Sequence, residues 1–444
     1  MTRHSRREFL QNSSLLLAGA GLASVPFSSA LAAKRVAPSD KIVVGLIGAR
    51  GMGWANLTSH LKNPGVECVA LADVDDEVLQ NRSNDLQKLT GKKAHLHKDF
   101  RKLLENKDID AVIIGTPDHW HCLQTVLACQ AGKDVYVEKP LANSIEECNI
   151  MVAAAKRHNR VVQVGQWQRS GPHWISALDY IHSGKLGKIG LVKTWLYQRN
   201  ARPLPVVPNT APPANLDYEM WLGPARPRPY NPVRLHGSWR YFWDYGGGLM
   251  TDWGVHLLDI AFPGMKAPVA SSAVSSGGKY AFPDSAMETP DTQQAIFSFA
   301  DYTILWEHGF GVSGHMYGTD HHGVAFIGSE GTLVIDRSKW FLLPETKDGQ
   351  YLIPAVPHQT AGSQTGLNEH VENFLQCIKT REKPRCDIAS ARDVAVNCHL
   401  GNIAYRTGRK VYWDDAKNSF GSDKEANAFV RPTYHGPWKL PKIA

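Results

Sequence analysis

The chain has 444 residues, of which 43% are hydrophobic and 20% charged. That composition suits two or three globular domains. The net charge of +7 is scattered, with no arginine or lysine run, so nothing in it supports nucleic-acid binding. Seven cysteines (Cys68, Cys122, Cys129, Cys148, Cys377, Cys386 and Cys398) include no Cys-x-x-Cys pair, which argues against a disulfide framework or a zinc knuckle.

Residues 5–10 read Ser-Arg-Arg-Glu-Phe-Leu, and a weakly apolar stretch from Leu15 to Phe27 leads to Ala30-Leu31-Ala32. A twin-arginine pair, a short apolar segment and an Ala-x-Ala site together predict an export leader over residues 1–33, handled by the Tat machinery. The segment is too short and glycine-rich for a stable membrane span, although an uncleaved anchor is the alternative. The expected location is periplasmic or otherwise exported. Replacing Arg6 and Arg7 with lysine should then leave the precursor in the cytoplasm; normal export of that variant, followed by cell fractionation, removes the prediction.

After the leader, Lys41 to Gly48 reads as a buried strand that runs through glycines into a helix. Strand, glycine turn and helix form the context of a dinucleotide fingerprint. Gly48 and Gly53 take its first and third positions, Arg50 stands at the second, and Gly51 follows. The next strand ends in Asp73, an acid placed to accept from a ribose 2′-hydroxyl. That favours NAD, whereas Arg50 leaves NADP open. A third strand ends at Gly115 and Thr116-Pro117-Asp118-His119-Trp120-His121, with a helix expected from Leu123 to Ala131. The His-x-His spacing has no third ligand nearby, so no metal is expected.

Val135-Tyr136-Val137-Glu138-Lys139-Pro140 follows. Pro140 stops the strand and holds Lys139 at its carboxyl end, where open α/β sheets bind ligands. Strands and helices alternate as far as about residue 165, the pattern of a parallel doubly wound sheet. Gln166-Trp167-Gln168-Arg169-Ser170 at the next strand end suits a hydroxylated ligand. Nine of the 26 prolines lie between 199 and 232, an ordered arm that either covers the site or embraces a neighbouring subunit. Trp239 to Phe262 carries a run of three glycines, Gly246 to Gly248, then Asp252 and His256 at i, i+4 on one helix face, with Asp259 beyond. An acid and an imidazole so placed suit proton transfer; a core histidine beside a helix acid gives the same pattern. Alternating strands over 265–365 suggest an antiparallel sheet, and two helices, 368–380 and 389–407, precede an irregular tail. Thirteen tryptophans are expected mostly in cores, with a few lining a site, because their faces stack on sugar rings.

The glycine turn at 48–53, Thr116-Pro117 with His121, Glu138-Lys139-Pro140, and Asp252 with His256 occur in an order and spacing that resembles the Gfo/Idh/MocA oxidoreductases. The resemblance spans about residues 40 to 414. It implies an α/β protein with a Rossmann domain (34–164) and a C-terminal α/β domain (165–414) built on a large open, mainly antiparallel sheet, before a tail at 415–444. It also implies a homodimer or homotetramer. Lys139, Asp252 and His256 would be the catalytic group. Gly48, Arg50, Gly51, Met52, Gly53, Asp73, Thr116, Pro117, His121, Glu138, Lys139 and Gln166 would meet the cofactor. Gln168, Arg169, Arg240 and Trp243 would join Asp252 and His256 around the substrate. The implied activity is oxidation or reduction of a secondary alcohol of a sugar or glycoside, with a tightly held nicotinamide cofactor. Two other readings stand beside it: glycoside cleavage through transient oxidation, and a non-catalytic sugar-binding protein.

Overall fold

A computed structural model of the chain describes residues 41–363 and 365–442. The expected leader lies outside the described residues. The first described element is β1 (Ile42–Ile47), an apolar run buried on both faces, as a central parallel strand requires. It feeds α1 (Gly51–Leu61). The chain continues through β2 (Val66–Ala72), α2 (Asp76–Thr90), β3 (His95–His97), α3 (Phe100–Leu104), β4 (Ala111–Ile114), α4 (Asp118–Gln130), β5 (Asp134–Val137), α5 (Ile145–Arg157) and β6 (Val162–Val164). All six strands run parallel in the order β3-β2-β1-β4-β5-β6. The order reverses between β1 and β4, and the crevice outside their carboxyl ends is where doubly wound sheets bind ligands.

One boundary differs from expectation. α4 begins at Asp118, not Leu123, so most of the Thr116–His121 segment is the first helical turn. His119, Trp120 and His121 obscured it, because they are buried by partners distant in sequence instead of forming an apolar stripe. Trp120 packs on Trp438, and His119 on Trp221 and Tyr245.

The second sheet has nine strands. At its middle β7 (Ile189–Gln198) pairs in parallel with β10 (Thr303–Phe310) and antiparallel with β11 (His322–Gly328). The remaining pairings are antiparallel, outward through β12 (Gly331–Ile335) and β13 (Lys339–Pro344) on one side, and through β9 (Thr292–Ser298) and β8 (Ser272–Gly278) on the other. Its buried core combines Trp174 of α6 (Pro172–His182) with Phe326 of β11 and Leu257 and Leu258 of the helix Val255–Gly264.

The two late helices, Leu367–Thr380 and Ile388–Thr407, also cover the first sheet. Phe374 packs edge-on against Tyr136, and Ile388, Ala391 and Ala395 join the core beneath α4 and α5. The tail, expected to be irregular, carries a short helix at Lys424–Asn427 and then crosses the first domain. There the Tyr434 hydroxyl donates to Glu147 Oε1 at 2.7 Å, while Trp438 lies against Trp120 and beneath Arg101. Among the described residues no helix is long and apolar enough to cross a membrane. The seven cysteines are buried free thiols.

The proline-rich arm is pinned to the end of β2: Asp76 N donates to Asn215 O and Asp217 N to Val74 O, at 2.9 Å each. Leu216, Trp221, Leu235, Trp239, Phe242 and Tyr245 give it a small core of its own. That core holds the arm over the crevice.

Candidate active site

The crevice is a cleft of about 320 Å³. Its floor depends on three glycines. Gly48 takes φ +83°, a left-handed conformation that favours glycine. Side chains cannot be added at Gly53 or Gly115 either, since a Cβ on Gly53 would strike Gly48 O and one on Gly115 would strike Gly53 Cα. The backbone therefore approaches closely enough to cradle a pyrophosphate. Arg50 caps α1 without a side-chain hydrogen bond, leaving the first amides of the helix free for phosphate oxygens. This fits NAD without a glycine at position 50.

Arg50, Gly51, Met52, Asp73, Thr116, Pro117, Glu138, Lys139 and Arg240 line this cleft. Asp73 also braces the glycine turn: its carboxylate accepts from Ala49 N at 2.8 Å and Asp75 N at 3.1 Å. Arg50 Nη1 lies 4.0 Å from Asp75 Oδ2. Thr116 Oγ1 donates to Gln124 at 2.7 Å. Glu138 accepts from Asn56 at 2.8 Å, and burial pushes its carboxyl up.

At the inner end Lys139 is 9% exposed. Its Nζ donates to Asp252 Oδ1 at 2.6 Å and to Asp252 O at 2.9 Å. Arg240 Nε donates to the same Oδ1 at 3.0 Å. Burial pushes the Asp252 carboxyl up, but Lys139 and Arg240 outweigh it and bring it down to about 2. Asp252 sits in a π-turn, Met250–Gly254, that leads into the helix of His256. Wide turns of this kind often mark functional sites.

His256 is not oriented by Asp252, as the i, i+4 spacing suggested; its Nδ1 has no partner. Burial, then nearby Lys139, Arg337 and His322, hold its imidazole well below the ordinary 6.5. It is thus neutral and able to accept a proton throughout the neutral range. If His256 is the base, kcat/KM should stay level from pH 8 down past 6.5 and fall only in more acidic solution, where the imidazole at last takes a proton. A pH–rate profile with its break centred at 6.5 would count against this placement. The near-neutral titration expected for an unperturbed histidine does not suit so buried a ring.

Five expected contacts are engaged by partners of their own. Arg169 is committed to Asp259, with N···O distances of 2.5 and 2.9 Å, so its charge is not available to a substrate. Trp243 is outside the cleft: its indole donates to Glu288 O at 3.1 Å and stacks near Tyr405 and Arg406. Gln166 Oε1 accepts the Cys386 thiol at 2.9 Å. Gln168 Oε1 accepts from Arg337 at 3.2 Å. The His121 ring nitrogens lie 2.8 Å from Pro140 O and 2.9 Å from Thr116 O, where the ring braces the Lys139 turn. Short-range spacing could not tell a brace from a contact, because each of these partners is set by the tertiary fold.

Sequence reasoning missed Asp118, His322 and Arg337. Asp118 is 4% exposed and lines the cleft at the start of α4; burial drives its carboxyl well up despite nearby Arg240 and Lys139. An acid directly after Pro117 was the available signal for it. For His322 and Arg337 there was none: they reach the site only through the pairing of β11 with β7 and β12.

Family comparison matches residues 42–166 to an oxidoreductase family with an NAD-binding Rossmann fold. Residues 193–263 and 348–440 match the same family's C-terminal alpha/beta domain. The chain is 24% identical over 355 residues to the uncharacterized oxidoreductase YrbE of Bacillus subtilis (strain 168), covering 78% of this chain and 89% of that one. It is 36% identical over 170 residues to a glycosyl hydrolase family 109 protein of Solibacter usitatus (strain Ellin6076), covering 36% and 38%. The chain thus matches less than half the length of that second relative. Among solved structures, levoglucosan dehydrogenase in complex with NADH superposes with a TM-score of 0.63 at 19% identity, covering 84% of this chain and 99% of that one.

Proposed function

The chain belongs to the Gfo/Idh/MocA oxidoreductase family, and from that premise we propose that it oxidises or reduces a secondary alcohol of a sugar or glycoside. The observation that carries the reading is the ion pair of Lys139 with Asp252 at the inner end of the dinucleotide cleft, with His256 one turn further on. Bound NAD supplies the hydride acceptor. The protein's own part is the hydroxyl proton and the placement of the carbon. Lys139 donates toward the substrate oxygen and stabilises negative charge developing there. Asp252 fixes that ammonium, and Arg240 fixes Asp252. Neutral His256 receives the proton. Sugar as the substrate class is supported by the polar set beside Trp167 and Trp253, and by the structural likeness to levoglucosan dehydrogenase.

Export through the twin-arginine route, and with it NAD held tightly through the catalytic cycle, belongs to the same proposal; so does assembly as a homodimer or homotetramer. Protein purified without added nucleotide should release NAD in a mass spectrum, and sugar should turn the bound form fluorescent as NADH. Protein that holds NAD but is reduced by no sugar would overturn the reading. Glycoside cleavage through transient oxidation is the second reading, favoured by the likeness to a glycosyl hydrolase family 109 protein. Release of free reducing sugar without net NADH distinguishes it.

A further inference from the structure

Beside His256 lies a group of side chains that the proton and hydride steps leave unused. His322, at the start of β11, and Arg337, just after β12, meet His256 around Trp253. The His322 and Trp253 ring centroids are 5.3 Å apart, those of His256 and Trp253 6.2 Å. His322 is 6% exposed and His256 7%. Both ring nitrogens of His322, Nδ1 of His256 and Nε of Arg337 are buried without a hydrogen-bond partner. Buried polar atoms nearly always have partners, so four orphans converging from three elements point to a ligand.

The charge balance says which kind. The Arg337 guanidinium stacks over Trp253 at 4.3 Å and over Trp167 at 5.0 Å, and it donates to the neutral Gln168 amide oxygen. Among the described residues no carboxylate pairs with it. Asp252 is already shared by Lys139 and Arg240; Asp336 Oδ1 accepts from the Ser338 and Lys339 amides, and its Oδ2 is buried without a hydrogen-bond partner and bonds no guanidinium nitrogen. Burial draws the Arg337 guanidinium down to about 10 and the His322 ring down to about 4. Both histidines are therefore neutral donors, and the Arg337 guanidinium has no carboxylate bonded to it. A single planar guanidinium held between aromatic walls matches a planar monoanion that it can bind through two hydrogen bonds.

We propose that Arg337, assisted by His322, receives the carboxylate of an acidic sugar, so that the substrate is a uronic acid or its glycoside. This rests on the sugar-alcohol reading above and narrows it. The test is intrinsic tryptophan fluorescence of the full NAD-loaded protein, titrated with glucuronate, its neutral amide glucuronamide, glucose and glucose 6-sulfate. Glucuronate should bind about tenfold or more tightly than glucuronamide, the scale of one charge-assisted hydrogen-bond pair. Arg337→Gln should erase that preference while NAD content stays unchanged, and Arg337→Lys should restore part of it. Equal binding of glucuronate and glucuronamide by the wild type overturns the proposal, even if the variants fail to fold. So does a preference for the sulfate ester over the carboxylate, or no binding by any of the four. Should neutral sugars still reduce the bound NAD, only the acidic-sugar inference falls; if no sugar does, the oxidoreductase reading falls with it.

Discussion

Lys139→Ala should cut turnover by about a hundredfold or more, the scale of a lost general acid–base or oxyanion-stabilising group. NAD content should be nearly unchanged, because the glycine cradle and the free amides of α1 hold the dinucleotide without the ammonium. The reason for so large an effect is placement. Lys139 is 9% exposed, so no water can take its position at comparable cost. Its partner would also change. Lys139 stands ahead of Arg240 among the groups that hold the Asp252 carboxyl down to about 2; without the lysine that carboxyl rises, and the site loses charge order as well as a donor. Arg240→Ala should do less, since the Lys139–Asp252 pair survives it. Turnover and nucleotide content measured on the same preparations check this. A Lys139→Ala enzyme that keeps near-normal turnover would reduce the Glu-Lys-Pro turn to a strand end that happens to border the cleft.

The parts of this architecture that were legible in the sequence are those with local causes. An apolar run ending in Gly48, a strand stopped by Pro140 and an acid at Asp73 each follow from backbone sterics within a few residues, and they placed the first sheet and its crevice. The mainly antiparallel second sheet could be read from alternation, but its parallel β7–β10 pair could not, because Thr194 and its register partner Trp306 lie 112 positions apart and nothing local records the match. Side-chain roles failed for the same reason. Arg169 and Trp243 sit in polar, aromatic stretches that resemble a sugar site, yet their partners Asp259 and Glu288 come from elsewhere. Arg337 lies in an unremarkable turn, Asp336-Arg337-Ser338, and gains its importance only where the sheet sets it between Trp167 and Trp253.

Asp259→Ala should destabilise the protein by about 3–5 kcal/mol, the usual cost of removing one partner of a buried ion pair. The Arg169 side chain is 9% exposed and that of Asp259 0%. Arg169 Nε lies 2.9 Å from both carboxylate oxygens, Nη2 lies 2.5 Å from Oδ1, and Nη1 donates to Ser390 Oγ at 2.7 Å. Removing the carboxylate leaves a guanidinium that cannot lose its proton and is largely shielded from water. Asp259→Asn should cost less, since the amide keeps the shape and one acceptor. The double variant Asp259→Leu with Arg169→Met should recover much of the loss, because it removes both charges and fills the space. Midpoints of urea unfolding for the three variants check the order. The pair also joins three pieces of the site: the turn bearing Trp167, the helix bearing His256 and the long helix Ile388–Thr407. Asp259→Ala protein that still folds should therefore bind sugar more weakly, with Trp167 and His256 no longer held in register. A loss of under about 1 kcal/mol, the scale of an exposed pair, would show that water reaches Arg169 and that the pair does not hold these elements together.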